Sequence, residues 1–127
     1  MLLTRVLLVD DSAIMRSMVR SLFESQPGFE VSGEADNGQE AIEKATSLKP
    51  DLIILDLAMP VMTGLDAAPV LRRMLPATLL ILFTVHEGRE VAKLALAAGI
   101  HAVVSKTQAA ATLITQAQAL LAKCKVV

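Results

Sequence analysis

Five short aliphatic and β-branched runs alternate strictly with longer stretches of helical period, which restricts the chain to one class of fold. The runs are Arg5 to Val9 (RVLLV), Phe29 to Ala35, Leu52 to Leu55 (LIIL), Thr78 to Phe83 (TLLILF) and His101 to Val104. RVLLV and LIIL are apolar on both faces, as strands covered on both sides should be. Phe29 to Ala35 instead alternates apolar and polar residues, the mark of a sheet edge. Helices are predicted over Ser12–Ser25, Gln39–Leu48, Leu65–Met74, Glu87–Ala98 and Gln108–Lys123. Asp11 or Ser12 can cap the first, Lys49-Pro50 stops the second and Gly99 the fourth. Pro69 is tolerated only in a first turn, so the regular third helix is expected to start as late as Asp66.

In the first helix Ile14, Met18 and Leu22 share one face and Arg16 and Arg20 another, with Met15 and Met18 expected as core or near-core fillers. Inward faces are also expected for Ala41, Ile42, Ala45 and Leu48, and for Leu113, Ile114, Ala117, Leu120 and Leu121. Strands alternating with helices call for a parallel sheet with right-handed crossovers and helices on both sides. In the common strand order 2-1-3-4-5 the chain reverses direction between strands 1 and 3, and ligands sit beyond their carboxyl ends. Those two strands end at Asp10-Asp11 and at Asp56.

Composition bounds the rest. The chain has 127 residues, 54% hydrophobic, with net charge −1. This is one domain's length, and its charge offers no footprint for direct nucleic-acid binding or for an acidic membrane. No apolar stretch reaches the ~20 residues of a bilayer span. Met1 to Val9 meets Asp10-Asp11 without a small-residue cleavage site and reads as a strand, not a signal peptide. The single cysteine, Cys124, excludes an internal disulfide and fits a cytoplasmic location, and no redox role is expected of it. His86 and His101 are too isolated to argue a metal site and read as loop residues; Met59 reads as packing.

Asp10, Asp11, Asp56, Thr84 and Lys106 all fall at or just after strand ends. Singly, each has a bland reading as cap, turn, strand end or solvated lysine. Together, they gather three carboxylates, a hydroxyl and an ammonium on one sheet edge. Two carboxylates ~4 Å apart repel by roughly 4 kcal/mol at an effective dielectric of ~20, so three need a cation. Oxygen-only donors favour Mg²⁺. A carboxylate beside it can attack phosphorus to give an aspartyl phosphate, with Lys106 and Thr84 taking the phosphoryl charge.

The stretches VLLVDDSAIMR (Val6 to Arg16), GEADNGQEAIE (Gly33 to Glu43) and PDLIILDLAMPVMTGLD (Pro50 to Asp66), with Thr84 and Ser105-Lys106, resemble the receiver domain of two-component response regulators. The resemblance covers nearly the whole chain. It implies a flavodoxin-like, doubly wound (βα)5 fold and a phosphoprotein that catalyses only its own phosphorylation and dephosphorylation. Asp56 would be the phosphoacceptor, fed by a sensor histidine kinase or phosphotransfer protein. Mg²⁺ would be held by Asp11, Asp56 and the Ala58 carbonyl, with Asp10 acting through water, and Thr84 and Lys106 would sense the phosphoryl group.

Output is expected through the helix 4, strand 5 and helix 5 face, to a downstream protein or a second copy. Residues 1–127 are expected to be one receiver without an output domain, either complete, as chemotaxis receivers are, or cut from a helix-turn-helix transcriptional regulator. Four positions depart from the family. Val103 stands where an aromatic switch residue is usual. Thr107 replaces a proline, so a trans Lys106-Thr107 bond is expected. Val85 is larger than usual and is expected to narrow access to Asp56. Ala58 offers only its carbonyl, and with His86 is expected to set the hydrolysis rate. A haloacid-dehalogenase-type phosphatase is the rival from another class. It would need a second acid two residues after Asp56, where Ala58 stands. A degenerate receiver that binds without phosphorylation is opposed by the intact acids, Thr84 and Lys106.

Overall fold

In the computed structural model, residues 3–86 and 88–124 are described. The chain runs β1 (Thr4–Val9), α1 (Ala13–Glu24), β2 (Phe29–Ala35), α2 (Gly38–Leu48), β3 (Leu52–Leu55), α3 (Gly64–Met74), β4 (Leu79–Thr84), α4 (Arg89–Ala97), β5 (Ala102–Ser105) and α5 (Ala111–Cys124). All strand pairs are parallel and the order is β2-β1-β3-β4-β5, as the alternation predicted.

Side chains alternate across the sheet, so the central strands β1, β3 and β4 each feed two cores. Leu7, Val9, Ile53, Leu55, Leu80 and Leu82 pack on one side against Ala41 and Ala45 of α2, Ala67, Ala68 and Leu71 of α3, and Ala95 of α4. Val6, Leu8, Ile54, Ile81 and Phe83 pack on the other against Val19 and Phe23 of α1 and Leu113, Ile114 and Ala117 of α5. Each buried Leu, Ile, Val or Phe contributes about 1.5–3 kcal/mol by leaving water. The inward faces expected of α2 and α5 are the observed ones. Met59 packs into the first core, as expected.

Several elements differ from expectation. In α1, Ile14 is 84% exposed and Met18 43% exposed; Val19 and Phe23 are buried, with Met15 and Leu22 packed beside them. Two neighbouring apolar stripes compete there, and the one carrying Phe23, stacked edge-on against Phe29, faces the sheet. Helix α3 starts at Gly64, with Pro69 as its sixth residue and so beyond the first turn. The helix survives because the Thr63 hydroxyl accepts from the Asp66 N–H (3.2 Å) and because Asp66, Arg72 and Arg73 complement its dipole. β4 and β5 lie one residue later than expected and pair Thr84 with Ser105.

Helix α5 starts at Ala111 instead of Gln108. The Ser105 hydroxyl accepts from the Thr107 N–H and shares a hydrogen bond with the Thr107 hydroxyl, so a turn precedes the helix. Helix α4 begins at Arg89 after Gly88, and the expected start at Glu87 lies outside the described residues. Edge strand β2 carries a bulge, since Val6 pairs with Val31 but Leu7 with Gly33, leaving Ser32 extra.

Candidate functional site

Register places the acids. Val9 of β1 pairs with Leu55 of β3, so the residues that follow, Asp10 and Asp56, leave the sheet side by side. The Asp56 N–H donates to the Val9 carbonyl (2.9 Å) and the Asp10 N–H to the Ala35 carbonyl (3.0 Å). The start of α3 closes in behind. Gly64 donates its N–H to the Leu57 carbonyl, and a Cβ at Gly64 would fall 2.1 Å from the Asp56 carbonyl oxygen. No residue with a side chain fits there without moving the acid.

Asp10 and Asp56 are 6% and 7% exposed, whereas Asp11 faces solvent. One carboxylate oxygen of each of the three lies within 4.8 Å of those of the other two. Lys106 reaches in from the end of β5, its Nζ 2.6 Å from Asp10 Oδ2 and 3.3 Å from Asp56 Oδ2. The remaining oxygens are held by main chain: Ser12 N–H donates to Asp10 Oδ1 (2.9 Å) and Leu57 N–H to Asp56 Oδ1 (2.8 Å). Both buried carboxylates are therefore fixed in direction. Burial raises the Asp56 pKa above its ordinary value and the neighbouring Asp10 charge adds to this, while Lys106 and the Leu57 N–H pull it back. The Lys106 ammonium also stands 5.8 Å from the Phe83 ring centroid.

Thr84 is fully buried at the end of β4. Its carbonyl accepts from the Lys106 N–H (2.8 Å) and its hydroxyl from the His86 N–H (3.2 Å). Ala58 and His86 are exposed in the loops after β3 and β4. Val85, expected to narrow access to Asp56, is 58% exposed. Val103 is exposed on β5, and among the described residues no peptide bond is cis, so Lys106-Thr107 is trans. His101 is a loop residue whose Nδ1 accepts from the Leu80 N–H (3.0 Å). Burial and the nearby Arg72 lower its pKa, consistent with an unprotonated acceptor.

Sequence reasoning missed a charged cluster beside the acids. Glu34 of β2 accepts from Arg16 Nε at Oε1 (2.9 Å) and from Arg20 Nε at Oε2 (2.7 Å). Arg16 Nη1 also donates to the Asp10 carbonyl (2.5 Å). The two guanidinium groups hold the Glu34 carboxyl below its usual pKa against the opposing effect of burial. A signal existed: α1 has no acid in its first turn yet carries Arg16 near its N-terminus, where the helix dipole disfavours a cation.

The sequence pattern of the response regulator receiver domain family matches residues 6–118. A protein-glutamate methylesterase/protein-glutamine glutaminase from Methanosarcina mazei is 42% identical over 105 residues, 82% of this chain and 29% of that protein. The chain spans about a quarter of the length of the curated methylesterase relatives it matches. A two-component response regulator of the LuxR family from Aurantimonas sp. superposes with a TM-score of 0.91 at 34% identity, covering 95% of this chain and 86% of the other. The response regulator domain of Thermotoga maritima CheB does so with a TM-score of 0.80 at 37% identity, covering 95% and 92%. These likenesses point away from the phosphatase considered above. They agree with the acids, the lysine and the strand order: the chain belongs to the response regulator receiver domain family.

Proposed function

We propose that Asp56 is the phosphoacceptor of this receiver and that Asp10, Asp11, Asp56 and the Ala58 carbonyl form its Mg²⁺ site. The observation that carries the reading is the convergence of Lys106 on two buried carboxylates of adjacent strands, with a third carboxylate in reach. The donor set fits the ion, being oxygen only and open to solvent through Asp11. Bound there, Mg²⁺ would supply charge neutralisation for the acids and for the phosphoryl oxygens. An Asp56 carboxylate oxygen attacks phosphorus in line. The new O–P bond forms as the P–N bond of a phosphohistidine breaks, and the electron pair leaves on the imidazole nitrogen.

Leu57 N–H and Lys106 aim that carboxylate beforehand, which lowers the entropic part of the barrier. Lys106 and the Thr84 hydroxyl then donate to the phosphoryl oxygens. Ala58 and His86 flank the site and set the hydrolysis rate; a larger polar side chain at either position should change the phosphate lifetime. The chain acts as a regulator that catalyses only its own phosphorylation and dephosphorylation. Its phosphodonor is a sensor histidine kinase or phosphotransfer protein. Output runs through the α4–β5–α5 face to a protein target or a second copy, where Leu94, Leu96 and Val103 are exposed and no aromatic switch is present.

The likeness to a LuxR-family regulator and to methylesterases favours a second reading, in which these residues serve as the receiver of a longer regulator. Intact-mass analysis after incubation with Mg²⁺ and a small acyl phosphate tests the chemistry. A gain of one phosphoryl group in the wild type and none in Asp56→Asn is expected. An unmodified wild type, or equal modification of both, refutes it.

A further inference from the structure

We propose that Arg16 is a positioning residue for the metal-binding acids, gripping the Asp10 carbonyl while Glu34 aims its guanidinium. The inference rests on the reading of Asp10, Asp11 and Asp56 as a Mg²⁺ site. In a parallel ladder the N–H and C=O of one residue face the same neighbouring strand. Asp10 donates its N–H to Ala35, where β2 ends, so its carbonyl looks past the end of the ladder. Among the described residues no backbone N–H reaches that carbonyl. Arg16 Nη1 supplies the missing donor at 2.5 Å.

The carbonyl belongs to the peptide that joins Asp10 to Asp11. Fixing that peptide plane sets the direction in which both carboxylates leave the chain. Glu34 takes Arg16 Nε on one oxygen and Arg20 Nε on the other, and Arg16 is only 18% exposed, so the guanidinium has little freedom. Only a planar fork can donate to a carboxylate and a carbonyl in fixed directions at once; a lysine ammonium on its straight stem cannot reproduce the pair.

Electrostatics and positioning predict opposite signs. Arg16 is a cation close to a cation site, so charge alone makes its removal strengthen Mg²⁺ binding. Positioning makes removal weaken it. Calorimetric Mg²⁺ titration at fixed ionic strength, without phosphodonor, separates them, with thermal melts of the same samples. Arg16→Gln and Arg16→Lys are expected to bind Mg²⁺ about tenfold more weakly while keeping native circular dichroism.

Arg20→Gln removes Glu34's other partner and is expected to lower the melting midpoint but leave Mg²⁺ affinity unchanged. Affinity in Arg16→Gln equal to or above the wild type would overturn the inference, as would equal weakening in Arg20→Gln. If Arg16→Gln does not fold, Arg16→Lys, which keeps the charge and most of the stem, decides alone. A wild type that binds no Mg²⁺, or binding that Asp11→Asn leaves intact, would instead overturn the metal-site reading itself.

Discussion

Asp56 and Lys106 carry opposite electrostatic roles within one buried cluster, and their variants should separate in sign. The Asp56 pKa is raised by burial and by Asp10, so in the folded state its charged form is disfavoured. A carboxyl with a raised folded pKa contributes stability below its unfolded value of about 3.9 and loses it as pH rises through the folded value. Asp56→Asn should therefore raise the thermal midpoint at neutral pH, and the gain should vanish as pH falls below the ordinary carboxylate range. A neutral-pH midpoint at or below the wild type's would contradict this. Lys106→Ala leaves two buried carboxylates without their common counter-ion. It should cost about 3–5 kcal/mol in urea titrations without metal, and added Mg²⁺ should recover part of that.

The acids and Lys106 were legible in the sequence because each ends a run whose burial makes it a strand, and strand ends in this topology converge. Arg16 and Glu34 were not. Their contact spans 18 residues and crosses the β2 bulge at Ser32, which no pattern of alternation reveals. The phase of α1 was lost for a related reason, since Ile14–Met18 and Val19–Phe23 are equally good stripes until the arginines and Phe29 choose between them.

Among the elements, α3 and the loop before it each carry a residue that local backbone rules disfavour. Pro69 lies in the helix interior and is exposed, so the Leu65 carbonyl lacks the intrahelical donor that any other residue would supply. Pro69→Ala should stabilise the protein by about 1–3 kcal/mol, read as a higher denaturation midpoint at constant slope. Val61 has φ 68°, a left-handed conformation that a β-branched residue adopts at a cost of roughly 1–2 kcal/mol, and its side chain is exposed. Val61→Asn should recover about 1 kcal/mol without loss of packing. If the midpoint does not rise, the strain is relieved elsewhere in the loop.

Element type and order were readable from periodicity, whereas several ends shifted by one to three residues. Those shifts occur where polar side chains bond to backbone, as at Ser105–Thr107 before α5 and at Thr78, whose hydroxyl donates to the Pro50 carbonyl. Such local bonds compete with helix and strand ladders and leave no periodic trace.

For the whole molecule, cation binding and folding are linked through the acid cluster. Mg²⁺ at a hundred times its dissociation constant should stabilise the native state by about 2.7 kcal/mol. The thermal midpoint should rise accordingly and fall back with EDTA, with little response in Asp11→Asn. An equal response in that variant would place the ion elsewhere. The strand order was readable because the acids and the topological reversal point coincide, which holds for the sheet as a whole and for no strand alone.

The unpaired side of β2 has a further consequence. The extra residue at Ser32 and the exposed charge of Glu30 make that rim irregular and polar, a poor template for another extended chain. Growth into fibres by strand addition is disfavoured at that border. A second copy would instead find its seat on the α4–β5–α5 side, at the opposite edge of the sheet.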